Sequence, residues 1–150
     1  MNTPVDKPKD FKKNWPFFWV SQVAAAYEIA LERRIKPLGL DIPRWRALMS
    51  LYEEEYLSVS QIAEFSALKL NTTTKVIQRM IGDDLVTTRP RPTDGRVTEV
   101  CLTEKGDRIR REALVEAQGL YAALFSDTDP AQIQAMIGAL TELHAKLRKL

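Results

Sequence analysis

The chain has 150 residues, with 22 lysines and arginines against 20 acidic residues and a net charge of +2. That length supports one folded domain with a real core, while the charge is too small to identify a nucleic-acid partner by itself. A single cysteine excludes an intrachain disulfide framework. With no stretch of eighteen apolar residues and no apolar signal core in residues 1–13, the expectation is a soluble cytoplasmic protein with no membrane partner.

Residues 1–13 are polar and lysine-rich with two prolines, and read as a mobile arm. Residues 15–36 hold no glycine, place Pro16 in a first turn and include Ala24, Ala25, Ala26, Ala30 and Leu31. A helix is predicted there, ended by Pro37-Leu38-Gly39. Residues 42–55 form a second predicted helix, with Pro43 in its first turn and Trp45, Leu48, Met49 and Tyr52 at three- and four-residue spacing. Ser58 and Gln61 then make a capping box, with Leu57 and Ile62 placed for a hydrophobic staple, so a short helix begins at Ser58 and runs to about Phe65.

After a turn at Ser66-Ala67-Leu68, a fourth helix begins near Lys69 or Leu70. Thr73, Val76, Ile77 and Met80 lie at i, i+3, i+4 and i+7 and form its buried stripe. Asn71, Lys75 and Gln78 are left on the opposite face, flanked by Thr74 and Arg79. Residues 85–106 follow as two extended segments pinched around Asp94-Gly95-Arg96. Val86, Thr87 and Thr88, then Val97, Thr98, Val100 and Thr103, supply β-branched residues on either side of a glycine-containing turn. Helix, short helix, polar-faced helix and hairpin in that order spell a winged helix-turn-helix, so the expected fold is mainly α with a small β-hairpin wing (α+β).

The same segments point to duplex DNA. Short polar and amide side chains suit base edges in the major groove, where Asn71 and Gln78 can pair with adenine, and a narrow groove attracts an inserted arginine. Between residues 69 and 96, six basic residues (Lys69, Lys75, Arg79, Arg89, Arg91, Arg96) stand against three acidic ones (Asp83, Asp84, Asp94), the local excess that phosphate contacts require. The DNA-contacting set is therefore expected to be Asn71, Thr72, Thr74, Lys75, Gln78, Arg79, Arg89, Asp94 and Arg96.

The last third is helical again. Residues 104–125 align Ile109, Ala113, Ala117, Leu120 and Leu124 on one stripe, and residues 126–129 break the helix. Asp129, Pro130 and Gln132 take the N-cap, first and third positions of a final helix, in which Met136, Leu140, Leu143, Leu147 and Leu150 recur at alternating four- and three-residue steps. With Phe11, Trp15, Phe17, Phe18 and Trp19 near the start, this is more apolar surface than a winged helix of this size buries alone, and a second copy is implied. Residues 14–40 and 107–150 are thus read as a helical dimerisation region around a DNA-binding region at 41–106, all in a single folded domain.

An enzyme is not expected. One histidine, one cysteine and no glycine-rich phosphate loop leave no nucleophile-base pair, no metal ligands and no cofactor. His144 reads as a residue of the terminal helix surface, and the carboxylates of Glu53, Glu54 and Glu55 point in different directions as a solvated helix end. Two alternatives share the DNA-binding class: a redox-sensing regulator acting through Cys101, which strand alternation turns away from the core side of Val100 and Leu102, and an architectural protein without sequence preference, which would not need Asn71 and Gln78.

From residue 15 to residue 150 the chain resembles the MarR family of transcriptional regulators. The likeness is carried by Leu85-Val86, by Arg89-Pro90-Arg91-Pro92, by Asp94-Gly95-Arg96, by Val100 and by Leu102-Thr103-Glu104-Lys105-Gly106. The resemblance implies a homodimer with interlocking terminal helices, binding a pseudo-palindromic operator, most commonly as a repressor released by ligand. It implies that Arg96 reaches the minor groove and that Asp94 holds the wing, with Gly95 permitting a turn of positive φ. Many relatives carry another arginine where Gly95 stands, so one phosphate contact is expected to be lost, with Arg89 and Arg91 available to compensate. It implies, finally, a pocket for a small aromatic or anionic effector, for which Trp19, Gln22 and Val23 with Arg46 and Met49 are the candidate lining and Arg46, which needs an anionic partner, the anchor.

Overall fold

The computed structural model describes residues 10–150, and the first nine residues of the expected arm lie outside the described residues. Two compact units are present, one extending to Glu116 and the other from Ala117 to Leu150. Residues 10–14 form a turn, in which the Asn14 N–H donates to the Asp10 carbonyl at 3.1 Å.

Helix α1 spans Pro16–Ile35. Proline at its start has no N–H to leave unpaired, and the Trp19 indole N–H donates to the Lys13 carbonyl at 2.7 Å, fastening the lead-in. Only its C-terminal end reaches the core, through Leu31 and Ile35. A single 3-10 turn at Lys36–Leu38 follows, and Gly39 closes it at φ 78°, a backbone conformation glycine adopts without penalty.

Helix α2, Ile42–Ser50, is capped by Asp41, whose carboxylate accepts the Arg44 N–H at 3.0 Å. It ends five residues earlier than its apolar spacing predicts, because carboxylates at positions 53–55 would sit against the negative end of the helix dipole. Leu51 turns inward there, leaving Tyr52 exposed. Helix α3, Val59–Ser66, carries the predicted capping box in full: the Gln61 N–H donates to Ser58 Oγ at 3.2 Å and the Ser58 N–H to Gln61 Oε1 at 2.8 Å. Ala67 reverses the chain at φ 53°, and helix α4 runs from Leu70 to Gly82.

The stripe Thr73, Val76, Ile77 and Met80 is buried as expected. Thr73 satisfies its hydroxyl by donating to the Lys69 carbonyl at 2.9 Å. With Leu31, Ile35, Leu48, Ile62 and Val100, the stripe makes the core on which α2, α3 and α4 converge. Each such aliphatic side chain contributes about 1.5–3 kcal/mol through burial.

A three-stranded antiparallel sheet follows, in spatial order β1-β3-β2, from strands Leu57–Ser58 (β1), Val86–Arg91 (β2) and Asp94–Leu102 (β3). Two features differ from the expected hairpin. The two residues before α3 add a third strand, with Leu57 opposite Val100 and Ser58 opposite Glu99. The reversal lies at Pro92 and Thr93, closing Arg91 onto Asp94, rather than at Asp94-Gly95-Arg96. Proline is pre-shaped for the second position of such a turn, which explains the choice. Because Pro90 pairs with Thr98 while Arg91 pairs with Asp94, Gly95, Arg96 and Val97 are extra residues that bulge from β3. Gly95 does not take the positive φ expected of it.

Helix α5, Glu104–Phe125, begins at a close approach. The Thr103 hydroxyl donates to the Asp84 carbonyl at 2.6 Å and accepts the Gly106 N–H at 2.9 Å, while the Thr103 N–H donates to the Leu85 carbonyl at 3.1 Å. A Cβ on Gly106 would collide with the Leu85 carbonyl oxygen. Helix α6, Pro130–Leu147, is capped by Asp129, which accepts the Ala131 N–H at 2.9 Å. In the second unit Leu120 and Ile133 are buried, whereas Met136, Leu140 and Leu147 of the predicted seam lie exposed.

Both kinds of junction, the close approach and the cap, can be tested by substitution. Gly106→Ala places a methyl group against backbone that has no rotamer to yield, so thermal unfolding should show a loss of about 1–3 kcal/mol; an unchanged midpoint would mean the junction relaxes freely. The cap at Asp41 is read through pH. Partial burial raises its carboxyl, but hydrogen bonds from the Arg44 N–H and guanidinium outweigh this and hold it below 3.8. A carboxyl lowered in the folded state stabilises above its unfolded value, and that contribution is lost as pH falls through the lower folded value. Asn at this position keeps the cap, so Asp41→Asn should make the midpoint fall less steeply than in the parent as pH drops below 3.8.

Candidate DNA-binding interface

Helix α4 and the wing present the expected residues on the surface of the first unit. Asn71, Thr72, Thr74, Lys75, Gln78 and Arg79 are all exposed on α4, opposite its buried stripe. Their hydrogen-bonding capacity is partly committed. Asn71 Oδ1 accepts the Thr72 N–H at 2.9 Å, which leaves the amide N–H groups of Asn71 as its outward donors. The Thr74 hydroxyl donates to the Leu70 carbonyl at 3.0 Å and faces outward as an acceptor. Arg79 lies near enough to Asp41 to help keep that carboxyl ionised.

At the wing, the bulge projects Arg96, whose side chain is 92% exposed. Asp94 aims it: Oδ1 accepts both the Arg96 N–H and Nε–H at 3.1 Å, and Oδ2 accepts from Nη2 at 3.4 Å. The side-chain bond from Arg96, then its backbone bond, hold the Asp94 carboxyl below its ordinary value, so the pair keeps both charges at neutral pH. One carboxylate thus orients the cation without covering it.

Arg89 and Arg91 are placed differently from free strand charges. Both lie 3.3 Å from Glu99, a carboxylate only 8% exposed on the central strand. The Arg89 guanidinium also stacks 3.3 Å from the centre of the Tyr56 ring. Glu99 therefore ties β2 to β3, Arg89 ties Tyr56 to the wing, and two arginines sharing one carboxylate leave a net positive charge. Sequence reasoning missed Glu99, although alternation past Val100 placed a charged residue opposite Arg89, where only an ion pair is tolerated. Cys101 is half-buried opposite Thr87.

The effector residues are less tightly gathered. Trp19, Gln22 and Val23 are exposed along α1, while Arg46 and Met49 are half-buried on α2. The anion Arg46 requires is within the chain: Glu28 of α1 lies at 2.6 Å, and the Ser66 carbonyl accepts a weaker bond at 3.4 Å. Met49 lines a cavity of about 260 Å³ with Tyr52, Leu57, Gln61 and Phe65. Over the Tyr52 ring, at 4.7 Å, lies the guanidinium of Arg110, which pairs with Asp107 at 2.8 Å. Its Nη1 is buried with no partner, and the side chain is 11% exposed. Arg110 escaped the sequence reading because its neighbours in space come from α2, far away in sequence.

The MarR family model matches residues 40–98, the span from the start of α2 into the wing. The HTH-type transcriptional repressor IacR of Pseudomonas putida is 40% identical over 126 residues, covering 83% of this chain and 75% of that protein. Among solved structures, BpsR of Bordetella bronchiseptica, described in connection with regulation of its DNA binding by 6-hydroxynicotinic acid, superposes with a TM-score of 0.80 at 20% identity, covering 91% of this chain and 97% of that one. A mutant MarR from E. coli, complexed with operator DNA, superposes with a TM-score of 0.78 at 18% identity, covering 91% and 99%. The recognition helix, the arginine-tipped wing and this likeness agree: the chain belongs to the MarR family of winged helix-turn-helix, DNA-binding transcriptional regulators.

Proposed function

We propose that the protein is a homodimeric repressor that reads a pseudo-palindromic operator and releases it on binding a small aromatic anion. The observation that carries the DNA reading is Arg96, aimed by Asp94 and exposed on the wing, with the polar face of α4 also open. A planar guanidinium suits the electronegative narrow groove flanking the major groove that α4 would enter. Exposed Phe17, Trp19, Val20, Val23 and Tyr27 on α1, and Met136, Ile137 and Leu140 on α6, support a second copy as the partner. Two copies set the half-site centres about one helical turn apart.

The expected outcome is a dimer at micromolar concentration by sedimentation, preferring a duplex selected from random DNA. Arg96→Ala should weaken that binding by about 1–3 kcal/mol per half-site with its unfolding midpoint nearly unchanged. A monomer without sequence preference would refute the proposal, and full affinity in the variant would remove the wing from it.

The effector reading is best supported around Tyr52, which lines the Met49 cavity and carries the Arg110 guanidinium over its ring. A carboxylate on Arg110 Nη1 would satisfy a buried donor that otherwise lacks a partner, whereas Arg46 already holds Glu28. The solved relative regulated by 6-hydroxynicotinic acid provides the precedent of chemistry, an aromatic ring bearing a carboxylate. In operator-release titrations with aromatic carboxylates, Arg110→Gln should abolish the response while Arg46→Ala retains it. The opposite pattern would return the anchor to Arg46 and to the lining Trp19, Gln22 and Val23.

A further inference from the structure

The leading turn of α4 carries one side chain whose exposure its own chain does not explain. Leu70, the first residue of the helix, is 54% exposed, directly before Asn71 and one turn before Thr74. The buried stripe begins three residues later at Thr73, so Leu70 is not part of the core. Around it, Asn71 Oδ1 accepts the Thr72 N–H with one of its two lone pairs, and the Thr74 hydroxyl donates to the carbonyl of Leu70 itself. The turn therefore offers an apolar surface, an amide and a hydroxyl acceptor.

In helix-turn-helix docking, the N-terminal end of the recognition helix is the end that reaches base edges. Of the groups displayed in the major groove, one is apolar, the 5-methyl of thymine, and aliphatic side chains recognise it by contact. We propose that Leu70 is a specificity-determining residue that reads a thymine methyl in each half-site. The inference rests on the DNA-reading role of α4 and adds an apolar contact at its first turn, to one side of the polar face. A phosphate-contacting role is excluded by chemistry, since the side chain has neither charge nor donor.

The test uses the full-length protein and a duplex selected from random DNA, with each thymine replaced in turn by deoxyuridine, which removes only the methyl group. The parent should lose roughly four-fold in affinity at one position of a half-site, and about fifteen-fold when both half-sites are replaced, the size expected for one buried methyl each. Leu70→Ala should bind the thymine and uridine duplexes equally, and Leu70→Met, which keeps apolar reach, should restore the difference. Circular dichroism of both variants checks that the fold is kept. A silent uridine scan in the parent, or an undiminished uridine effect in Leu70→Ala, would overturn the inference while leaving the regulator reading intact. Failure of the parent to prefer the selected duplex over random DNA would overturn both.

Discussion

The absence of a side chain at Gly106 is the constraint on which the DNA-binding unit depends. The start of α5 approaches the Leu85 carbonyl so closely that only hydrogen fits, and Thr103 fills the remaining space with two hydrogen bonds through one hydroxyl. Lys105 adds a third tie by donating to the Asp83 carbonyl at 2.9 Å. These contacts gather the end of α4, the entry to β2 and the start of α5 into one junction. Helix α4 and the wing are thereby held to one frame, which the proposed reading of two grooves at once requires. Arg44 reinforces the frame from the other side, bridging Asp41 of α2 and Asp83 beyond α4 at 3.2 and 2.9 Å.

Within the wing, two carboxylates perform different physical tasks. Asp94 lies at the surface, where water screens its attraction to Arg96, so its value is geometric: three acceptor contacts fix where an exposed cation points. Glu99 is buried, and a lone charge there would be costly, so it requires Arg89 and Arg91 together. The sheet is stiffened by that demand. The central strand gains cross-links to β2 through Glu99, and Arg89 of β2 in turn stacks on Tyr56, next to β1.

Local chemistry made much of this legible in the sequence. The Ser58–Gln61 box, the Thr73 to Met80 stripe, the prolines opening α1, α2 and α6, and Gly39 after the first helix each act over four to seven residues, and each appears in the structure as expected. What the sequence concealed depends on pairing across distance. A two-residue strand such as β1 has no period to read. The turn at Pro92 and Thr93 prevailed over Asp94-Gly95 because strand register, rather than turn propensity alone, decides which residues close the hairpin. The same register converts Gly95, Arg96 and Val97 into a bulge, displaying the arginine more openly than a tight turn would. Arg110 and Tyr52 meet only once α5 and α2 are folded, so neither residue announced the other.

In the proposed function α4 and Arg96 engage adjacent grooves of one duplex together, twice per site. Hydroxyl-radical footprinting on the selected duplex measures this most directly. Two symmetric blocks of protection should lie about one helical turn apart, each extending outward across the neighbouring minor groove. Uniform protection along the duplex, or symmetric blocks with no minor-groove extension, would contradict the proposal.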